Sequence, residues 1–461
     1  MQANGRSDSE HATRSITRRT AWLLFTAMRI SITQRLPRVH LAVGLTLGLL
    51  LLMLARAQPA AAASTLDPIS DPGKMTLTAG DFASRWRAID AVEASGNVTA
   101  YSSLAPLLSG SGHSGRPSLC HGNQNLNTSY RVDGFCWNQA DDTTGEWVPQ
   151  GITGSHDAQP DGKWLDKYAY IASWHSRNTG SNEFARISVV DNDGGDHTIY
   201  NHIMLVDPYM ESQTTGNFRA VGAAGSPFAG HADGVAWYGN RLFVASGHQI
   251  QVYDLRHLWR MSDNTRESVG ISDGKSAARW HNWALPMIGF YDNGIKGDPC
   301  TDLNPCMTSL SLDRTGTDGL ITSEFRRSTG GAPVVRWPLN AADALLDTDG
   351  TTNHEGTVHA TAGYRTPVWG VQGAATDGTY FYFSGTCPEY ADRDPKDPAT
   401  ADLPYCIHWA KPGSAPHVLT YGPPLIQNLS WAPSSGRLWG INERIAPAPG
   451  VRSVFSLDPP N

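Results

Sequence analysis

Short segments of apolar and β-branched residues alternate with polar turns through most of the chain after residue 120. Each segment has the length of a strand, several alternate apolar with polar positions, and Gly, Asn or Asp separates one segment from the next. Examples are KYAYIASW (167–174), ARISVVD (185–191), RLFVASG (241–247), QIQVYD (249–254), TYFYFSG (379–385) and RLWGIN (437–442). The pattern predicts an all-β fold, with one helical interruption at YDLRHLWRMS (253–262).

The chain before residue 120 has a different pattern. Phe82, Trp86, Ile89 and Val92 recur at helical spacing, and a stretch rich in Ser, Gly and Pro, LLSGSGHSGRPS, follows. Residues 64–119 are therefore predicted to form a short helical N-terminal extension and a linker, ahead of a β domain over residues 120–461.

Five segments of the β domain begin alike, which indicates an internal repeat. They are VPQGIT, HADGVA, CMTSLSLD, GVQGAATDG and LIQNLSWAP, with equivalent polar residues at Gln150, Asp233, Ser309, Gln372 and Asn428. A turn and a second, bulkier strand follow each one, as in a β-propeller whose first strands line a central channel. The repeat predicts about five blades, or six if residues 280–292 belong to another blade. YRVDGFCW (130–137) is predicted to supply the outer strand of the last blade and so to close the ring.

Four stretches of this domain resemble an uncharacterised family of secreted actinobacterial proteins. They are CWNQADDTTGEWVPQGITGSHDAQPDG, GHADGVAWYGNRLFVASGHQIQVYDLRHLW, GLITSEFRRSTGGAPVVRWPLN and LSWAPSSGRLWGINERIAPAPGVRSVFSLDP, in the same order along most of residues 120–461. The resemblance implies secretion and brings no activity with it. Where the family is expected to have Gly and Glu-Asp, this chain has Asp233 and the amides of Gln427 and Asn428. The missing carboxylates argue against an acid–base mechanism in the channel.

Residues 1–63 have the features of an export leader. Seven arginines precede residue 40, residues 41–55 form an uncharged apolar run too short for a bilayer span, and RAQPAAAAS supplies small residues for cleavage. A start at Met28 leaves a conventional signal peptide, whereas a start at Met1 includes TRRTAWLLF, which invites a twin-arginine interpretation that Arg29 weakens. Cleavage would leave a secreted protein with no membrane attachment.

Loss of the leader makes the protein strongly acidic. Eight of the 36 Lys and Arg and two of the 43 Asp and Glu lie in residues 1–63, so the formal net charge changes from −7 to −13. An acidic surface repels phosphate backbones, and nucleic acid is therefore excluded as a partner. We expect a monomer.

Six cysteines lie in the exported part, at Cys120, Cys136, Cys300, Cys306, Cys387 and Cys406. An even number in an oxidising compartment indicates disulfides, and chain order favours the pairs 120–136, 300–306 and 387–406 among the fifteen possible connectivities. A zinc site would need CxxC-type spacings, which are absent, so no metal site is expected from the cysteines.

His231 and Asp233 stand two residues apart before a strand, where their side chains would point to the same side of an extended segment. Both could then face the channel and share a ligand; alternatively, His231 is a structural latch to a neighbouring blade. Gln150, Gln372 and Asn428 occupy the place of Asp233 in other repeats. Their amides suit hydroxyls or a peptide backbone as ligands, or else they satisfy buried strand ends within the ring.

Glu324 in TSEFRR and Glu443 in INERI each end a second strand beside arginines. On the channel face they could act as the paired carboxylates of a glycoside-cleaving site; the alternative is a solvated ion pair at each. DNDGGD (191–196) and DTDGTT (347–352) resemble the start of a calcium loop but lack its glutamate, so we interpret them as turns that offer at most a weak surface calcium site. No nucleophile elbow, P-loop or dinucleotide-binding loop is present in the sequence, and no cofactor is expected.

Two functions are consistent with these features. The one that we favour is an exported propeller, not an enzyme, that binds an extracellular or cell-wall glycan or a peptide at the mouth of its channel. The alternative is an extracellular hydrolase or lyase that acts on a carbohydrate or an ester through polar residues of the channel. In both cases the candidate binding residues are Gln150, His231, Asp233, Glu324, Gln372, Asn428 and Glu443.

Overall fold

The computed structural model describes residues 64–109, 111–177, 180–192, 197–295, 299–327, 329–390, 397 and 399–460. The predicted leader, residues 1–63, lies outside the described residues, as do residues 193–196 of the DNDGGD segment. In the described part of the chain, the helices are all too short or too polar to cross a membrane.

The N-terminal extension is a helix flanked by short strands that join the edges of the β domain. Its elements are β1 (Asp67–Pro68), β2 (Thr76–Gly80), α1 (Phe82–Ala94), β3 (Val98–Tyr101), α2 (Ala105–Leu108) and β4 (His113–Ser114), with a 3₁₀ turn at Pro72–Lys74. The predicted helix is present as α1, and Phe82, Ile89 and Val92 lie on its buried face. The predicted linker is more ordered than expected, because β3 and β4 pair with strands of the first two blades.

The first blade is an antiparallel sheet that follows β5 (Asp133–Cys136) and α3 (Gln139–Thr143). Its strands are β6 (Trp147–Gly154), β7 (Ala169–Ser176), β8 (Ala185–Asp191) and β9 (Ile199–Met210), with β10 (Gly216–Ala220) folded back on β9 and α4 (Ser155–Ala158) after β6. Every residue of β6, β7 and β8 is buried, because neighbouring blades cover both faces of the sheet.

The second blade contains residues 280–292, which the sequence left as a possible part of a sixth blade. Its strands are β11 (Gly234–Tyr238), β12 (Arg241–Ser246), β13 (Gln249–Asp254) and β17 (Trp283–Asp292), with β14 (Leu258–Met261), β15 (Val269–Ser272) and β16 (Lys275–Ala278) inserted before β17. Residues 280–292 therefore supply the outer strand of this blade and do not begin a sixth. Strand β17 also pairs in parallel with β9, which joins the first two blades at their outer edges.

The predicted helical interruption at residues 253–262 is wrong. The structure places strand β14 there, paired with β3 of the N-terminal extension and with β17. The indole nitrogen of Trp259 donates to Glu93 at 2.8 Å. A ten-residue stretch is too short to be a stable helix by itself, so these tertiary contacts decide its conformation.

The third and fourth blades follow along the chain. The third contains β18 (Leu310–Asp313), β19 (Gly319–Ser323), β20 (Ala332–Asn340), β21 (Leu345–Leu346) and β23 (Ala362–Thr366), whereas β22 (Thr357–His359) pairs with β2 of the N-terminal extension. The fourth contains β24 (Gly373–Thr376), β25 (Phe381–Thr386), β26 (Tyr405–Ala410) and β27 (His417–Gly422). Between β21 and β22, residues 347–352 form a bend in which Asp349 accepts from the N–H of Thr357 at 2.7 Å.

The fifth blade combines the end of the chain with a strand from its beginning. Its strands are β28 (Ile426–Ala432), β29 (Arg437–Asn442) and β30 (Ser453–Leu457), and β5 is the fourth. Phe135 lies opposite Val454 in this pair. The prediction that YRVDGFCW closes the ring is thus confirmed.

The five inner strands β6, β11, β18, β24 and β28 contact one another in cyclic order and surround the channel. Their close approach explains the glycines of the repeat. A Cβ at Gly151 would lie 2.8 Å from the amide nitrogen of Val235, and one at Gly234 would lie 2.2 Å from that of Leu310. Any larger residue there would push neighbouring blades apart.

The three disulfides follow the predicted local scheme. Cys120–Cys136, Cys300–Cys306 and Cys387–Cys406 are bonded, with Cα–Cα distances of 6.1, 5.5 and 4.9 Å. The first joins the loop after the N-terminal extension to the end of β5 and so anchors the strand that closes the ring.

Candidate functional site

A cavity of about 400 Å³ opens where the inner strands begin, at one end of the channel. All five blades contribute to its wall, because segments just before inner strands and just after second strands meet there. The polar residues that line it are Gln150, His175, Arg177, His231, Asp233, Thr308, Gln372 and Glu443, and the apolar ones are Phe325, Leu425 and Ile445. The mouth of the channel is thus a mainly polar recess, and apolar side chains form one part of its wall.

The repeated polar position divides into two structural types. In three blades it precedes the inner-strand glycine, and there Gln150, Asp233 and Gln372 line the cavity. In the other two it precedes leucine, and Ser309 and Asn428 are fully buried. A glycine after the polar residue therefore marks the blades in which that residue lines the cavity, and a leucine marks those in which it is buried within the ring.

The segment that carries His231 and Asp233 is not extended, contrary to the expectation from sequence. Ala232 between them has a φ of 53°, in the left-handed region that residues with a Cβ seldom adopt. Both side chains nevertheless line the same cavity. Gly370 and Leu425 also have positive φ values, 60° and 55°, just before two other inner strands, so the chain turns sharply into the ring in three blades.

Two histidines converge on one carboxylate oxygen at the edge of this cavity. The Oε1 atom of Glu183 lies 2.7 Å from Nδ1 of His231 and 3.0 Å from Nδ1 of His175. The two imidazole rings are 4.1 Å apart between centroids. On the other side of its ring, Nε2 of His231 lies 3.7 Å from Oδ1 of Asp233, whose Oδ2 accepts from the N–H of Gly247.

The neighbouring charges shift the pKa values of this cluster in opposite directions. Burial lowers the pKa of His231, but the carboxylates of Asp233 and Glu183 outweigh burial and raise the pKa to about 9. Burial and the positive charge of His231 together lower the pKa of His175 to about 4. Burial raises the pKa of Glu183, but hydrogen bonds from the two histidines hold it well below its usual value. These shifts favour the charged forms of His231 and Glu183 and the neutral form of His175.

Glu443 supplies a second enclosed carboxyl group. It accepts a hydrogen bond from the side-chain amide of Gln150, and its backbone carbonyl accepts from Nε of Arg452 at 2.9 Å. Burial raises the pKa of Glu443, and burial likewise raises the pKa of Asp233. The mouth therefore holds two carboxyl groups whose charged forms are destabilised by their surroundings.

Two glycines fix the backbone of Glu183 against the segment that carries His231. A Cβ at Gly222 would lie 1.8 Å from the carbonyl oxygen of Glu183, and one at Gly230 would lie 1.6 Å from it. The N–H of Glu183 also donates to the carbonyl of Gly222 at 2.9 Å. Because only glycine allows this approach, the sequence Gly230-His231 brings the histidine directly beside the Glu183 carboxylate.

Of the seven predicted binding residues, five meet at the cavity: Gln150, His231, Asp233, Gln372 and Glu443. Asn428 does not line it. Its Oδ1 accepts from the N–H of Leu310 at 3.1 Å and its Nδ2 donates to the carbonyl of Ile152 at 3.2 Å, so it connects three inner strands. Asn428 therefore satisfies buried strand ends within the ring, which was the alternative to ligand binding for these amides.

Glu324 does not line the cavity either. One of its oxygens accepts from the N–H of Cys306 at 3.1 Å, and the other pairs with Nε of Arg326 at 2.7 Å. Glu324 thus forms the ion pair that was the alternative to a catalytic role. The pair is not solvated as expected, because the Glu324 side chain is only 9% exposed.

Sequence reasoning missed His175, Arg177 and Glu183. His175 lies at the end of the second strand of its blade, the same place as Glu324 and Glu443 in theirs, so the repeat contained a signal for it. Glu183 lies in a loop, and its position depends on contacts with glycines about 40 residues further along the chain. No local pattern could have indicated it.

Comparisons with known proteins give distant structural matches. No protein-family model matches the chain, and no curated protein matches it. Among solved structures, the β-propeller domain of Cps50 (Swd1) from Myceliophteria thermophila is 10% identical, with a TM-score of 0.28 over 76% of this chain and 97% of that one. A mutant apocarotenoid oxygenase from Synechocystis is 12% identical, with a TM-score of 0.29 over 70% of this chain and 66% of that one. By the order of its own strands and the closure of its ring, the chain is an all-β protein with the fold of a five-bladed β-propeller.

Proposed function

We propose that this protein is an exported propeller that binds an extracellular or cell-wall glycan at the mouth of its channel. The observation that carries the proposal is the convergence of amide, carboxyl, imidazole and guanidinium groups from different blades around a cavity of about 400 Å³. A recess of this size suits one or two sugar units. Side chains that both donate and accept hydrogen bonds match the hydroxyl groups of a sugar.

Two polar groups in the recess are available to a ligand. Within the described ranges, the side-chain amide of Gln372 and the guanidinium of Arg177 make no hydrogen bond to a protein atom. A polar group at a cavity wall regains its hydrogen bonds from water or from a ligand. Arg177 in particular favours a ligand that carries a carboxylate, which a guanidinium binds in a two-pronged fashion.

A second recess extends the site and favours a glycan chain over a single sugar. Arg177 also lines this recess of about 500 Å³, together with Glu146, Asn182, Phe184, Glu267, Arg279 and Trp280. The indole of Trp280 is 50% exposed, although large aromatic side chains are usually covered. Arg279 and Trp280 both have positive φ values, 46° and 63°, in a turn that presents the indole to solvent. An exposed indole offers an apolar face on which a sugar ring can stack.

Export is supported by the leader-like residues 1–63 and by the three disulfides, which persist in oxidising compartments. Together with the acidic composition, these features support the proposal that the ligand is extracellular. The family resemblance in the sequence agrees with this placement and adds no ligand of its own.

The experiment that tests the proposal is binding of the purified protein to an array of bacterial cell-wall and extracellular glycans, followed by calorimetry with the best ligand. We expect Gln372→Ala and Trp280→Ala each to weaken binding at least fivefold. Tyr168→Ala is the matched control, because Tyr168 is an exposed aromatic residue in a different recess with Ser155 and His156. Absence of any glycan binding by the wild-type protein would refute the proposal.

The enzymatic alternative has one specific observation in its favour: Asp233 and Glu443 are carboxyl groups whose pKa values burial raises, as is common for general acids. A panel of polysaccharides and esters distinguishes the two functions. Turnover that Glu443→Gln or Asp233→Asn abolishes would establish an enzyme, whereas binding without turnover would establish a binding protein.

A further inference from the structure

We infer that His175, Glu183 and His231 form a binding site for a divalent transition-metal ion at the edge of the channel mouth. The ligand atoms are Nδ1 of each histidine and Oε1 of the glutamate, which lie within 4.8 Å of one another. An imidazole nitrogen binds a metal only when it is unprotonated, so binding of the ion releases the Nδ1 proton of His231 to solvent. Two imidazole nitrogens and one carboxylate oxygen are a donor set that Zn²⁺ and the other late first-row divalent ions prefer. The inference is independent of the glycan proposal.

The geometry needs only a small adjustment to hold an ion. Both histidine nitrogens are 2.7–3.0 Å from the carboxylate oxygen, and ligands about 2.0–2.2 Å from a tetrahedral Zn²⁺ lie roughly 3.3 Å from each other. For an ion to enter, each nitrogen–oxygen separation would lengthen by roughly 0.3–0.6 Å, and both imidazole rings would turn their Nδ1 atoms from the oxygen toward the ion. The side chains of His231 and Glu183 are 40% and 42% exposed, which leaves a coordination position for water or a ligand group.

Asp233 is placed to support this site without binding the ion. Its Oδ1 faces Nε2 of His231 at 3.7 Å, on the side of the ring away from Glu183. Metal-bound histidines commonly direct their second ring N–H to a carboxylate, which fixes the tautomer and the orientation of the ring. The N–H of Gly247 holds Asp233 in place at 3.1 Å.

The backbone that carries the carboxylate is held closely in position. Gly222 and Gly230 both press on the backbone of Glu183, and a Cβ at either would overlap its carbonyl oxygen. Gly230 immediately precedes His231. Two of the three ligands are thereby held by one close backbone contact.

Other groups of metal-ligating side chains in the described residues are less suited to an ion. Two of them consist of a histidine beside cysteines that are bonded in disulfides: His121 with Cys120 and Cys136, and His248 with Cys300 and Cys306. The third is His113, Asp141 and His202. There the Asp141 oxygens already accept from Tyr200, Arg186 and His202.

The test is titration of the chelator-treated, tag-free protein with Zn²⁺ alone, followed by calorimetry and by metal analysis after dialysis. We expect one Zn²⁺ per chain, a loss of affinity of at least a hundredfold in His175→Ala and in Glu183→Gln, and a loss of ten- to a hundredfold in Asp233→Asn. His113→Ala is the matched control, since it removes a histidine from the competing cluster, and it should bind like the wild type. Less than a tenth of an equivalent in the wild-type protein would overturn the inference, as would equal binding by the ligand variants.

A second measurement guards against variants that fold poorly. Co²⁺ alone should give visible absorption bands in the wild-type protein that His231→Ala abolishes. Zn²⁺ should raise the melting temperature of the wild type but not that of His175→Asn, which retains a polar side chain. An equal rise in both proteins would contradict the site. A protein that binds Zn²⁺ and no glycan would uphold this inference while refuting the proposed function.

Discussion

The histidines of the described residues with shifted pKa values fall into two electrostatic classes. His231 is partly exposed, and carboxylates on both sides of its ring raise its pKa, whereas burial lowers the pKa of His202, His281 and His408 to about 3, 4 and 4. His408 is the simplest member of the second class. It is buried in β26, and Nε2 of its ring donates to the carbonyl of Thr386 at 3.1 Å.

We predict that His408 makes the protein less stable in mild acid. Its pKa falls from an ordinary 6.5 to about 4 in the folded protein. Below pH 6.5 the unfolded chain gains a proton that the folded protein does not take up until about pH 4, so the stability present at neutral pH is lost as the pH falls through this window. Urea unfolding at pH 7 and pH 4.5 should show a decrease that is smaller in His408→Gln than in the wild type by about 2–3 kcal/mol.

Exposed His417, on the neighbouring strand β27, provides the control. His417→Gln should lose as much stability as the wild type over the same pH range. If His408→Gln and the wild type respond to acid equally, His408 does not contribute to the effect.

Single elements of the fold depend on partners that are far away in the chain. Strand β14 is formed by pairing with β3 and β17, although the sequence pattern there predicts a helix. Strand β5 differs, because its apolar pattern and its place before the first blade were enough to predict that it pairs with β30. Ring closure is a rule of the propeller fold, whereas the insertion around β14 is additional to the four strands of a blade.

We predict that the disulfide beside β5 contributes more to stability than the one before the third blade. Cys120 and Cys136 are 16 positions apart in the sequence, whereas Cys300 and Cys306 are 6 positions apart. The entropy that a crosslink removes from the unfolded chain grows with loop length, so the double Cys→Ser variants should lose about 3 and about 2 kcal/mol, respectively. The measurement is the free energy of unfolding in guanidinium chloride. An equal or reversed order would show that native contacts of the loops outweigh loop entropy.

At the scale of the whole molecule, five blades surround one channel, and the pairing of β5 with β30 closes the ring. Asn428 connects three of these blades. It lies in β28, and its side-chain amide forms hydrogen bonds with the backbones of β6 and β18. Loss of the amide would leave the buried N–H of Leu310 in the third blade and the buried carbonyl of Ile152 in the first blade without these partners.

We therefore predict that Asn428→Ala destabilises the whole ring. Each unsatisfied buried group costs about 1–3 kcal/mol, so the loss should be about 2–5 kcal/mol. Tryptophan fluorescence and circular dichroism should still report one coincident transition, because the blades share the ring. Asn264→Ala, which removes an exposed side-chain bond to Asn282, should change the stability by less than about 1 kcal/mol. Separate transitions for the two probes would mean that the blades unfold independently.

The sequence alone determined the β class, the repeat of about five blades, the closing strand and the local disulfide pairs. It could do so because strand periodicity, the glycines of the inner strands and short cysteine spacings act over a few residues. It also indicated five of the residues at the channel mouth: four occupy repeated places in their blades, and His231 stands two residues before one of them. Only the tertiary structure decided that Glu183 joins His175 and His231, that Asn428 holds the ring and does not face a ligand, and that residues 258–261 are a strand. Those outcomes depend on backbone contacts between segments tens to hundreds of residues apart, which no local pattern encodes.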